Sequence, residues 1–154
     1  MNNDLDDLLY EHSKKINDAI ELEKRRNEIE IEEIELFKEK FETLKKNIII
    51  PKIKNITERI KKHNHRISAP EVNTMAENQH PNLSYSIIAD HDSRKTFTIK
   101  ITGNYEIQKV EINISFSNKA TQEIYKKYDL GNVNDEVIEK NFFEGFKNVL
   151  KIIR

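Results

Sequence analysis

Cysteine is missing from this chain of 154 residues, as is tryptophan, and glycine and proline occur three times each. Without cysteine, neither a disulfide framework nor a thiolate metal site can be built. So little glycine and proline excludes a low-complexity linker and leaves long helices few interruptions. No apolar run approaches the roughly 20 residues that a membrane-spanning helix requires. The opening MNNDLDDLLYEH is acidic and lacks the basic-then-apolar layout of a secretory signal. A cytoplasmic location without membrane association is therefore expected. No glycine-rich phosphate loop, no Ser or Cys nucleophile motif and no recognisable strand-end acid pair occurs, so the chain reads as a non-enzyme with no cofactor.

Charge is what the chain has in excess. Charged residues make up 34% of it, nearly matching the hydrophobic 36%, where about a quarter is usual. That leaves too little apolar material for every residue to join a core. The formal net charge of −1 conceals a block pattern. Residues 1–37 hold 12 acids and 5 bases, a balance of −7, whereas residues 38–66 hold 10 bases and 3 acids, a balance of +7. Residues 67–154 are close to neutral, so only the middle block has the charge a polyanion seeks.

Apolar residues in the first third step by four and three: Leu5, Leu9, His12, Ile16, then Ala19 or Ile20. The rhythm returns at Ile34, Phe37, Phe41, Leu44 and Ile48. Such a 3.5-residue period marks a left-handed coiled-coil seam. Between the two runs, EKRRNEIEIEE places Ile29 and Ile31 out of phase, which reads as a stutter or weakly packed waist. One helix of about 65 Å is expected before Pro51, at 1.5 Å per residue. Pro51 then begins a second helix or kinks the first, with a kink favoured over a reversal. A further seam follows at Ile53, Ile56, Ile60, His63 and Ile67. A second copy of the chain, the Pro51–Ile67 helix folding back, or a different protein must cover these seams, and a homodimer is the simplest solution.

Residues 67–82, polar and carrying two prolines, read as a flexible connector. In residues 83–154, Leu83, Tyr85, Ile87 and Ala89 alternate with polar residues, with Ile88 breaking the pattern, and Phe97, Ile99 and Ile101 alternate likewise. Gly103-Asn104 suggests a two-residue hairpin turn, and a parity change near Gln108-Lys109 suggests a bulge before Val110, Ile112, Ile114 and Phe116. A short helix is expected over Lys119 to Tyr128, stopping near Gly131. The last helix is expected to start at Asn134 and to bury Ile138, Phe142, Phe146, Val149 and Ile153, with Val137, Phe143, Leu150 and Ile152 widening the stripe. That stripe is wider than three strands cover, which points to a dimer mate. The expected class is α+β: long N-terminal coiled-coil helices in residues 1–66, then a three-stranded antiparallel sheet with C-terminal helices, a small dimerisation domain in residues 83–154.

The hairpin FTIKITGNYEIQKVEIN, followed by the helix IEKNFFEGFKNVLKII, resembles the YbaB/EbfC family of nucleoid-associated proteins. Thr98 to Ile101, Gly103, Glu106 to Asn113 and Phe143 to Ile152 fall on the family's strand, turn, strand and helix positions. The resemblance implies an αβββα fold, a homodimer with projecting N-terminal helices, and sequence-tolerant binding of double-stranded DNA.

Independently of any family, Lys45, Lys46, Lys52, Lys54, Arg59, Lys61, Lys62 and Arg66 form a basic run suited to phosphates, with Arg94 and Lys95 as secondary candidates. The alternative reading is a solvated lysine-rich face, with the chain acting as a protein-binding adaptor or as a secretion or assembly chaperone. Ile34, Phe37, Phe41, Leu44, Phe142, Phe146 and Val149 are the expected dimer-interface residues. His63 and His65 are two residues apart, so a helix points them in different directions and no metal pair is expected.

Overall fold

In a computed structural model of the chain, residues 3–67, 80–118 and 120–150 are described. Most of the expected connector, and Ile152 and Ile153 of the expected terminal stripe, lie outside these residues. The described fold combines helices with an antiparallel sheet of five strands. Its compact units are Met1–Leu36 and Phe37–Arg154.

Helix α1 (Asn3–Leu44) is rich in Glu, Lys and Leu, which lose little side-chain freedom in a helix, and it carries Asp4 and Asp6 in its first turn. It passes into one π-helical turn, Lys45–Ile49, and then into α2 (Ile50–Lys61). Leu44, Ile49 and Ile50 all keep right-handed helical backbone angles, so the chain does not reverse at Pro51. Pro51 has no N–H to give. The π turn just before it accommodates this, with the Ile50 N–H donating to the carbonyl of Lys45, five residues back.

The sheet is a meander in the order β1 (Arg66–Ile67), β2 (Asn82–Ile88), β3 (Thr96–Asn104), β4 (Lys109–Phe116) and β5 (Ile124–Tyr128). Every neighbouring pair is antiparallel. The alternation expected for the three central strands holds. Leu83, Tyr85 and Ile87, then Phe97, Ile99 and Ile101, then Val110, Ile112 and Ile114 are all buried on one face.

Four expectations are corrected. The sheet has five strands, not three, because Arg66–Ile67 pairs with the end of β2 and residues 124–128 pair with β4. The segment expected to be a helix over Lys119 to Tyr128 therefore ends as a strand. Ile124, Lys126 and Tyr128 are half-buried while Tyr125 and Lys127 are exposed, a period of two matched to the free edge of β4. The hairpin turn is not Gly103-Asn104. Both residues belong to β3, and the loop is Tyr105 to Gln108, with Gln108 at φ 57°. Register is constant from Phe97↔Phe116 to Asn104↔Lys109, so this four-residue loop, and no bulge, causes the change of parity.

Gly103 lies on the buried face for a steric reason. A Cβ there would stand 2.6 Å from the Phe41 ring. Gly145 in α3 (Asp135–Leu150) is alike, its missing Cβ being replaced by the Phe97 ring at 2.3 Å. The two glycines let helices from both ends of the unit settle on β3. Helix α3 starts as expected, with the Asn134 side chain accepting the Val137 N–H at 3.0 Å. Asn141 is a buried polar residue that the apolar pattern does not reveal. Its amide donates to the Val137 carbonyl at 2.8 Å and to the Tyr128 hydroxyl at 3.3 Å.

Gly103→Ala should destabilise the Phe37–Arg154 unit by about 1–3 kcal/mol through overpacking. The same change in a Phe41→Leu background should cost measurably less, since the ring it strikes is gone. Urea unfolding of the four chains of this cycle checks the coupling, and additive costs would refute the contact.

Candidate functional site

Two surfaces are open to a partner. The first belongs to the unit Met1–Leu36. Its described side chains, residues 4–36, are all exposed except the half-buried Ile34. They include Leu5, Leu9, Ile16 and Ile20 of the first seam, with Ile16 the least exposed of the four at 47%. Solvated charges on the rest of a helix do not remove the cost of leaving such a row in water. Leu22, Ile29 and Leu36 recur every seven residues away from that row and are equally open. Continuing the four-three steps of the seam from Ile16 and Ala19 leads to Glu23, Arg26, Glu30 and Glu33. The waist is thus a charged interruption of the seam: three carboxylates and one guanidinium where apolar layers are the norm.

The second surface lies in the unit Phe37–Arg154, where the fold alters the expected basic run. Lys45 pairs with Glu42 at 3.0 Å. Lys52, at 3.2 Å, and Arg59 converge on the carboxylate of Glu139 in α3. Arg94 pairs with Asp92 at 3.1 Å and Lys95 with Asp90 at 3.5 Å. The remaining candidates, Lys46, Lys54, Lys61, Lys62 and Arg66, are exposed and have no ion-pair partner among the described residues. Even here Glu58 sits between Lys54 and Lys61 at helical spacings of four and three, on the same exposed face. The sequence-local charge count missed Glu139, which reaches the basic run only because α2 and α3 pack together.

The expected dimer-interface residues are also relocated. Phe37, Phe41, Leu44, Phe142 and Val149 are buried in the core of the single chain, and Phe146 packs against that core. Helix α2 of the same chain packs against α3. Of this set only Ile34 lies in the unit Met1–Leu36. Leu150 and, more fully, Phe143 are large apolar residues of α3 left open, Phe143 being 63% exposed. Phe143 borders a cleft of about 490 Å³ floored by Ile56, Ile60, Phe142 and Phe146 and rimmed by Arg59, His63 and Glu139.

The charged groups beside this cleft are held by one another. Arg59, and then Lys52, pull the Glu139 carboxyl below its ordinary value of 4.5. His65 accepts the Asp90 N–H on Nδ1 at 3.0 Å and lies 5.1 Å from the Phe146 ring. Burial lowers its pKa from 6.5, against the opposing pull of Asp90. The ring is therefore neutral at neutral pH, and it acts as a structural acceptor and not as a cation for phosphate.

Because the folded pKa of Glu139 lies below its unfolded value, its tie adds stability that is fully present above 4.5. That stability is lost as pH falls through the folded value. Glu139→Gln should lower stability at neutral pH and flatten the acid limb of the unfolding profile. Equal acid sensitivity in both chains would show that the Lys52–Glu139–Arg59 cluster contributes nothing. Compared with protein-family models, with curated proteins and with solved structures, the chain matches none.

Proposed function

We propose that this chain is a non-enzymatic assembly protein whose helical arm, residues 5–36, pairs with another helix while the Phe37–Arg154 unit serves as its head. The observation that carries this reading is the open row Leu5, Leu9, Ile16 and Ile20 on a helix that covers none of it within its own unit. The period of the row is that of helix-to-helix packing, and helix-in-groove or coiled-coil recognition uses such anchors. The head has a core of its own, so it does not require a second chain to bury its apolar face.

Contact with double-stranded DNA is the second reading, and Lys46, Lys54, Lys61, Lys62 and Arg66 support it. It ranks lower because Lys45, Lys52, Arg59, Arg94 and Lys95 already face carboxylates. Counterion release scales with the number of free cations that reach phosphates.

The two readings separate in one experiment on the tagged full chain in extract of its own cells. The chain should sediment as part of a multi-chain complex that survives nuclease and raised salt. Leu9→Asp with Ile16→Asp should return it to single-chain size without changing the melting of the head. Charge reversal of Lys54, Lys61 and Lys62 should leave the complex intact. Loss of the complex on nuclease treatment or on that charge reversal favours DNA, and single-chain size throughout sinks the assembly reading.

A further inference from the structure

The charged waist selects among partners for the arm. Seam positions 23, 26, 30 and 33 are Glu23, Arg26, Glu30 and Glu33, all exposed and without an ion-pair partner among the described residues. In a parallel, in-register pair of identical arms each of these side chains meets its own twin. That gives three carboxylate layers and one guanidinium layer, all of like charge, where the partner helix excludes water. An antiparallel pair fares little better. Aligning Glu23 with Arg26 of the copy sets Glu30 against Ala19 and Glu33 against Ile16, two carboxylates on apolar neighbours. Shifting one heptad to align Arg26 with Glu30 sets Glu23 against Glu33. Charge at seam positions costs stability unless the facing layer answers it, and like charges are a recognised means of rejecting a wrong partner. The whole arm repeats the bias, with 12 acids and 5 bases in residues 1–37.

Resting on the coiled-coil reading above, we infer that the arm's partner is not a second copy of this chain but a different, basic helix. The partner has apolar layers facing Leu5, Leu9 and Ile16 and Lys or Arg at layers facing Glu23, Glu30 and Glu33. The waist is then the specificity element of the pair. Its carboxylates sacrifice self-association and gain ion pairs in the mixed assembly. The basic run of this chain's own head is no substitute, since the apolar face of that run is closed into the core at Ile49, Ile53 and Ile56.

The test uses the full chain and a full-length variant carrying Glu23→Lys, Glu30→Lys and Glu33→Lys. This swap answers three of the four charged layers in the parallel pairing and in the second antiparallel one. Each chain is sedimented alone and then in equimolar mixture over a concentration series. The expected result is that each alone stays a single chain at concentrations where the mixture forms a two-chain species, with an association at least tenfold tighter. If the unaltered chain pairs with itself as tightly as the mixture does, the inference is overturned while the coiled-coil reading survives. If neither the single chains nor the mixture pair at any concentration, both the inference and the coiled-coil reading fail. Unchanged thermal melting of the head in the variant shows that the difference comes from the arm.

Discussion

The stacking of the Phe41 ring over the bare backbone of Gly103 is the contact on which the architecture turns. It holds the end of a 42-residue helix against the middle of a sheet, and from there Phe37, Leu44, Ile49, Ile53 and Ile56 are closed into one core with the strands. A phenylalanine truncated at such a site typically costs about 3–5 kcal/mol, a large part of a small domain's net stability. The same contact divides the apolar seam of the helices between two uses. From Phe37 onward it makes a core, whereas before Leu36 it remains available. Two apolar runs separated by the charged waist thus differ in their surroundings, the second closing a core and the first lying open along its helix.

Much of this architecture was legible in the sequence. Helix α1 carries no proline or glycine, and the three central strands alternate, Ile88 excepted, because one face of each is buried and the other is not. The N-cap at Asn134 was legible for the same local reason. The unread features all depend on distant partners. Residues 124–128 read as helix because their pattern is short and their lysines favour neither state strongly. Only the open edge of β4 makes them a strand. Gly103 read as a turn because glycine signals turns, but here it makes room for an aromatic ring. The interface residues Phe37, Phe41, Leu44, Phe142 and Val149 were correctly seen as apolar stripes. A stripe does not say which surface it meets, and here each meets its own chain.

Electrostatics followed the same division. Counting charge along the chain showed a basic block, but it could not show that α3 brings Glu139 between Lys52 and Arg59. Exposed ion pairs of this kind add little to stability. Their consequence is to reduce the positive field outside the head, and so the attraction for a polyanion at a distance. In the arm, where no fold intervenes, the sequence count and the exposed surface agree, and the acidic excess is presented directly to whatever approaches.

The π turn at Lys45–Ile49 has a consequence for how this chain can change over evolutionary time. It holds one residue more than a regular helical path, and that residue brings Ile49, Ile53 and Ile56 into line with Phe37, Phe41 and Leu44. Loss of a single codon within this turn would restore ordinary helical bonding and still leave Ile53 and Ile56 facing the sheet, because the turn already absorbs the extra residue. Regular bonding with the present count would instead rotate the following side chains by about 100°, turning Lys52 toward the sheet in place of Ile53. The sheet beneath thus fixes the phase of the helix, and the turn is where the chain can give up one residue without disturbing it.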